Sequence, residues 1–186
     1  MIKTGRNGNV RRKIDLTSAA AWATGTNYKV GDIVTNGSPT KYYYCITAHA
    51  AGAAFDVAEQ ANFIDVTDGF AISKLSSWKL NIKQSLIDAS HFGDGGWDSS
   101  VVGTKSWSGQ IDGSFNITDD PYGQKVLQDA IDSGDEIDLE LYVDEDVSTE
   151  KYEGKAFIEE FDIDTQTKNL VKITIKFTGN GPLQMP

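Results

Sequence analysis

Proton transfer and metal binding both favour histidine, and this chain has two, His49 and His91, set far apart. Neither stands in a Cys-x-x-Cys or His-x-x-x-His pattern, so the spacing supplies no metal site. A serine hydrolase needs its nucleophile on a sharp strand-to-helix turn, and no Gly-x-Ser-x-Gly elbow occurs. Asp119 and Asp120 have the form of a paired acid and base. They stand before Pro121 and a helical pattern, where a carboxylate is better explained as a cap on backbone N–H groups. The acids of DEDVSTEKYEGK (144–155) resemble a calcium loop in composition but lack its Asp-x-Asp-x-Asp-Gly spacing, which leaves a solvated turn. Asn116-Ile117-Thr118 matches a glycosylation sequon and reads as a chance match. The expectation is no catalytic residue, no metal and no cofactor; a small hydrolase with an acidic active site is the third-ranked reading.

The rest of the composition agrees. The 186 residues are 39 % apolar and 10 % aromatic, enough for a core, and carry a formal net charge of −10. That charge argues against nonspecific binding to nucleic acid or to membrane surfaces. Cys45 is the single cysteine, so no intrachain disulfide can form. No apolar run approaches the roughly 20 residues of a membrane span, and the basic start MIKTGRNGNVRRKID has no apolar stretch behind it. The expectation is a soluble, cytosolic product. Charge is also segregated: residues 1–13 hold Lys3, Arg6, Arg11, Arg12 and Lys13 and no acid, whereas residues 110–164 hold 18 acids against Lys125, Lys151 and Lys155. Such an arrangement suits either a basic, frayed terminus on an acidic domain or head-to-tail contact between copies, with Arg6, Arg11, Arg12 and Lys13 meeting acids such as Asp144, Glu145 and Asp146.

The elements that would position these residues are mostly strands. In EIDLELYV, Ile137, Leu139, Leu141 and Val143 alternate with Asp138, Glu140 and Tyr142; in NLVKITIKF, Val171, Ile173, Ile175 and Phe177 alternate with Leu170, Lys172, Thr174 and Lys176. WKLNIKQSLI, KAFIEEFDID and SGQIDGSFNI are strand-like too, the last with a bulge at Gly113. One apolar and one polar face per strand implies antiparallel sheet with a wet side. DDPYGQKVLQDAIDSGD instead places Val126, Leu127, Ala130 and Ile131 on one helical face, with Asp120 as N-cap and Gly134 as stop. Residues 17–68 differ in composition and hold short strands in KVGDIVTNG and KYYYCITA around an NGSP turn. The chain therefore divides into 1–16 (an arm and first strand), 17–68 (an inserted small β module) and 69–186 (the main domain).

Residues 88–105 read as a loop of about eighteen residues, long enough to require a purpose. It carries Phe92, Trp97, Val101 and Val102 amid glycines. Burying a large aromatic removes on the order of 200 Å² from water, worth at most roughly 5 kcal/mol. Trp107, beside a strand, reads as core; Trp97 is either folded back into the same core or, the favoured reading, in contact with another copy.

In their order, AISKLSSWKLNI, the loop HFGDGGWDSSVVGTKSWSGQIDGSFN, DPYGQKVLQDAI, IDLELYVDED, YEGKAFIEEFDID and the closing VKITIKFTGNGPL resemble a bacteriophage tail tube protein. The opening GRNGNV resembles the short basic arm of such proteins. The resemblance implies a mainly β protein, an antiparallel sandwich or flattened barrel with one short flanking α-helix. It implies homo-oligomeric hexameric rings that stack into a hollow tube in the virion tail and are assembled in the host bacterial cytoplasm. The partners would be tape measure, tail terminator and baseplate or tail-tip proteins, with a sheath protein if the tail contracts, and no membrane. The long hairpin would extend onto the next ring through Phe92, Trp97, Val101 and Val102. DNA would transit the lumen without specific binding, past acids at Asp138, Glu140, Glu159 and Asp162.

A second resemblance lies in WATGTNYKVGDIVTNGSPTKYYYCITAHAAGAAFD, which is similar to a small chitin-binding-type carbohydrate-binding module through Trp22, Tyr28, Gly31, Asp32, Val34 and Tyr44. It implies glycan contact by Trp22, Tyr28 and Tyr44 and an insertion displayed on the tube's outside. Phe63 stands where that pattern has its closing tryptophan. The alternative function is accordingly a carbohydrate-binding or adhesion protein acting through 17–68.

Overall fold

The computed structural model describes residues 8–91, 97–167 and 169–186. Arg6 and Phe92 lie outside the described residues. The chain forms two compact units, Met1–Arg12 with Ala71–Pro186, and Lys13–Phe70. Strand β1 (Asn9–Arg12) opens the first. The second holds β2 (Ala20–Ala21), β3 (Asn27–Tyr28), β4 (Ile33–Asn36), β5 (Lys41–Cys45), β6 (His49–Ala50), α1 (Val57–Gln60) and β7 (Phe63–Asp65). After β8 (Phe70–Ala71) come β9 (Leu75–Asp88), β10 (Ser100–Ser114), α2 (Gln124–Ser133), β11 (Ile137–Tyr142), β12 (Lys151–Asp164) and β13 (Lys172–Gln184).

The first unit is a seven-stranded sheet in the order β8-β1-β11-β12-β13-β10-β9. Its printed pairings are antiparallel. One face carries the core: Val10, Trp107, Ile111, Ile137, Leu139, Leu141, Ala156, Ile158, Ile173, Ile175 and Phe177 are buried together with Leu127 and Ala130 of α2. The period-two alternation of β11 and β13 thus places its apolar half inward as the sequence requires. The sheet curls far enough that Trp78 of β9 donates its indole N–H to the Tyr142 carbonyl of β11, at 3.1 Å. The fold is therefore the mainly β, antiparallel, flattened-barrel type with a flanking helix.

Glycine makes room for the largest core side chain. The Trp107 indole lies over β13 and β12, where a Cβ on Gly154 would come within 2.7 Å of its Cζ2 and one on Gly179 would overlap the ring at Cε2, Cδ2 and Nε1. Its N–H is satisfied by the Gly181 carbonyl at 3.1 Å, as a buried indole requires. Gly113 does sit at a register break between β9 and β10.

Helix α2 starts later than its sequence suggests. Asp120 is not the residue flanking the helix; Gly123 is, and it has no side-chain cap bond. Asp120 instead takes N–H groups from Gly123, Gln124 and Ser73 at 2.9–3.0 Å, so the capping chemistry is present, displaced by one turn. The inward face is Gln124, Leu127 and Ala130, while Ile131 is exposed. Gln124 is wholly buried and spans three segments: its amide donates to the Ser73 and Ser114 carbonyls and its carbonyl accepts from Asn116 N. Gly134 ends the helix in the left-handed region, at φ 71°.

The second unit has a small core of Tyr28, Val34, Cys45, Ala51 and Phe63, with Trp22, Tyr43 and Phe55 against it. Strands β4 and β5 pair antiparallel as KVGDIVTNG and KYYYCITA suggest, and the two-residue β2 pairs parallel with β4. The helical turn α1, absent from an all-β expectation, is nucleated by Asp56, whose carboxylate accepts from Ala58 N and Glu59 N.

Candidate assembly surface

The glycine- and aromatic-rich segment that sequence reads as one long loop is largely strand. β9 and β10 remain paired to Asp88 and Ser100, and Ala89 N still reaches Ser99 O at 2.8 Å. The cause is the run Leu86, Ile87 opposite Val102, Val101, four apolar residues of which Ile87, Val101 and Val102 are β-branched and favour extended pairing. A bulge between Val102 and Lys105 interrupts the register, at Gly103, where a Cβ would meet Ser85.

Pairing of β10 with β13 covers only Ser108–Ser114. Beyond Ile82 and Trp107, β9 and β10 therefore extend from the sheet as a two-stranded ribbon. Leu86 and Val102 share one face of it, and Ile87 and Val101 the other. They are 70 %, 65 %, 56 % and 52 % exposed, and Trp97 near the tip is 81 % exposed. A lone hairpin is at best marginally stable in water, and one apolar on both faces needs something to cover it. Trp107, at the ribbon's root, is buried as expected at 4 % exposure. β9 is also the edge of the sheet, and a long edge strand offers its backbone groups to another chain.

A family model described as phage tail tube protein matches residues 70–185. The chain belongs to that family. Tail tube proteins are structural components of tails rather than enzymes. Among solved structures, the subunit is similar to the tail of an empty gene transfer agent particle, refined with helical and C6 symmetry, with TM-score 0.53 and 15 % identity over 70 % of this chain and 91 % of that one. It is also similar to a chain in the virion of the native gene transfer agent particle, with TM-score 0.51 and 15 % identity over 68 % of this chain and 90 % of that one. At that identity the likeness is one of fold. No curated protein matches.

In this tail tube subunit, Arg11 and Arg12 of the basic arm are engaged within their own chain. Arg11 pairs with Glu145 at 3.4 Å, Asn9 donates to the same carboxylate at 2.6 Å, and Arg12 donates from Nε to the Tyr122 carbonyl at 3.1 Å. Arg11, expected to meet acids such as Glu145 on another copy, already meets Glu145 of its own chain, because antiparallel β1 and β11 place the two side by side. Lys13 belongs to the other unit.

The acids separate into distinct environments. Glu140, expected on a wet face, is only 4 % exposed. It bonds Lys151 and accepts the Tyr142 hydroxyl at 3.1 Å, while Lys151 also pairs with Glu153 at 3.3 Å. Arg11 and Lys151 both lie against the Tyr142 ring, 5.6 and 5.5 Å from its centroid. Long cationic side chains thus roof the polar face of β11, which is why its alternation does not leave that face in water. Burial pulls the Lys151 pKa down, but the hydrogen bond to Glu140 and that carboxylate's charge outweigh it and hold the ammonium well above its usual range. A carboxylate so enclosed offers no free charge to a channel.

Glu159 and Asp162 are exposed and Asp138 is half-buried. A register shift between Ile158 and Glu160 reverses the facing of β12. It places Glu160, Asp162 and Asp164 on the outward face, opposite Lys176, Thr174 and Lys172 of β13. Lys176 pairs with Glu160. Hydrogen bonds from Lys176 and Asp162 hold the Glu160 pKa down, and in turn the bond to Glu160 raises that of Asp162. With Asp112 of β10 and Lys79 and Lys83 of β9 on the same face, this helix-free side alternates in charge. Alternation puts Lys172 and Lys176 on the polar half of β13, but not which acids of β12 stand beside them, because the bulge sets their parity.

In the Lys13–Phe70 unit, each aromatic residue expected to contact glycan also packs within the unit. Tyr28 is 8 % exposed, and its hydroxyl accepts from Ala23 N at 2.8 Å. Trp22 packs edge-on against Phe55 at 5.6 Å and donates to Glu59 at 2.9 Å; Tyr44 packs against Phe70 at 5.1 Å. Burial corrects the glycan contact that the resemblance implied for Tyr28, whereas Trp22 and Tyr44 are half-buried.

Proposed function

We propose that copies of this tail tube subunit associate into hexameric rings, and that rings stack through the β9–β10 ribbon into a conduit for DNA. The observation that carries this reading is the ribbon, with Leu86, Ile87, Trp97, Val101 and Val102 all more than half exposed. Fully burying a side chain of this kind contributes about 1.5–3 kcal/mol, so the five together offer about 7–15 kcal/mol. Association costs about 4–15 kcal/mol in lost freedom. One ribbon thus comes close to balancing that cost, and hydrogen bonding along the exposed β9 edge supplies the remainder within a ring. The gene transfer agent tail, C6-symmetric and similar in fold, supports the hexameric count.

The helix-free face, with Asp138, Glu159 and Asp162, lines the channel in this reading. Its alternation of carboxylate and lysine suits transit, since net positive charge would grip phosphates. The subunit would meet tape measure, terminator and tail-tip proteins at the ends of the tube, and the Lys13–Phe70 unit is an insertion not needed for assembly. The test is Trp97→Ala with Val101→Ser and Val102→Ser. Sedimentation should show smaller assemblies while circular dichroism stays unchanged. Assemblies of undiminished size would remove the ribbon from the stacking contact.

A further inference from the structure

We propose that His49 and Glu59 form a proton-dependent clasp that holds the Lys13–Phe70 unit closed. The His49 ring is wedged between Tyr28 and Phe63, with centroids 5.9 and 5.3 Å away. Its Nδ1 lies 2.7 Å from the Thr47 carbonyl and its Nε2 2.9 Å from Glu59 Oε1. Neither oxygen can donate: one is a carbonyl, and the other belongs to a carboxylate that accepts Trp22 Nε1–H at 2.9 Å and, through Oε2, Gly52 N–H at 3.0 Å. Two acceptors facing two ring nitrogens require both nitrogens to carry hydrogen, which only the imidazolium does. Removing that proton turns a ring lone pair towards Thr47 O or Glu59 Oε1, and one contact becomes repulsive.

The clasp matters because of what it joins. Trp22, His49 with Gly52, and Glu59 come from three separate segments of a unit whose strands are two to five residues long. The Glu59 carboxylate is their common point, and side-chain exposures of 13 % for His49 and 6 % for Glu59 keep water from substituting for it. The groups around His49 are few: α1 presents the Glu59 charge, β3 the neutral Tyr28 phenol and β7 the uncharged Phe63. From β5 the Cys45 thiol donates to the same Thr47 carbonyl at 3.2 Å.

The titration follows from these partners. Burial lowers the His49 pKa, but the Glu59 hydrogen bond, the Thr47 carbonyl and the Glu59 charge raise it further, to above its ordinary 6.5. Burial raises Glu59, and Gly52, His49 and Trp22 together bring it below 4.5. A raised histidine stabilises the folded unit fully below pH 6.5 and ceases to do so as pH climbs through the folded value. A depressed carboxylate stabilises it above pH 4.5 and ceases to do so as pH falls through its folded value. The unit is held most firmly between the two and loosens on either side.

The experiment is a ¹⁵N NMR titration of the full chain from pH 4 to 9, with His49→Gln to assign the ring signals. At pH 6.5 more than half of His49 should be imidazolium, and the Trp22 indole N–H should shift with the same alkaline midpoint. Glu59→Gln should leave His49 less than half protonated at pH 6.5, since burial then acts without its counter-charge. A single neutral tautomer of His49 at pH 6.5 in the unaltered chain, or a Trp22 indole signal indifferent to the His49 titration, would overturn the proposal whether or not the variant folds.

Discussion

Replacing Gly179 by alanine adds one methyl group and should be among the most damaging changes this protein can suffer. Gly179 does not have the positive φ that would favour glycine for its backbone, so the effect is packing alone. The new Cβ would fall inside the Trp107 indole. The ring has no easy retreat: its N–H is held by Gly181 O, Phe177 packs edge-on at 6.1 Å, and its far edge already rests on Gly154. Expelling the indole returns on the order of 200 Å² to water, about 5 kcal/mol. A partial shift within the core costs about 1–3 kcal/mol. The expected loss lies between, at about 3–4 kcal/mol, a large share of the roughly 5–15 kcal/mol that holds a typical domain folded. Urea unfolding followed by circular dichroism measures it. A double-mutant cycle adds specificity: in a Trp107→Ala background the space is vacant, so Gly179→Ala should cost less than about 1 kcal/mol. If Gly179→Ala alone stays within about 0.5 kcal/mol of the parent, or if the two changes are additive, the glycine-paved slot is not what holds Trp107.

Two further outcomes follow from the same packing. Lys151→Met leaves Glu140 buried beside an apolar group and should cost about 3 kcal/mol, at the low end for buried pairs because Lys151 keeps 26 % of its side-chain surface exposed; adding Glu140→Gln should recover part of that loss in the same urea assay. Joining Arg12 to Ala71 through a short Gly-Ser linker in place of 13–70 should yield a folded chain, since Ile72 N bonds Val10 O at 3.0 Å and the strand ends are already adjacent; an insoluble product would show that the inserted unit supports the sheet.

Where one face of a strand met the core, the sequence was a sufficient guide. Ile173, Ile175 and Phe177, and Ile137, Leu139 and Leu141, alternate visibly and are buried together. The polar halves of the same strands were not legible, because their environment depends on other strands. Glu140 is enclosed only because β1 and β12 bring Arg11 and Lys151 over it, and the facing of Glu160 and Asp162 turns on a bulge that no local pattern marks. The ribbon was half legible. Its exposed Trp97, Val101 and Val102 stood out, but glycines at 93, 95, 96 and 103 masked the pairing of Val101 with Ile87. Gln124 was missed because a buried amide spanning three backbone segments has no periodic signature. The His49–Glu59 pair was passed over because its partners lie ten residues apart, one in β6 and one in α1, a spacing that suggests neither a metal site nor a catalytic dyad.

If copies of this chain build a tube, negative-stain electron microscopy of the purified protein will show it. Rings or tubes with a stain-filled axial channel should appear as concentration rises, with sixfold end views. Discrete particles of monomer size at every concentration and salt tried would contradict the account.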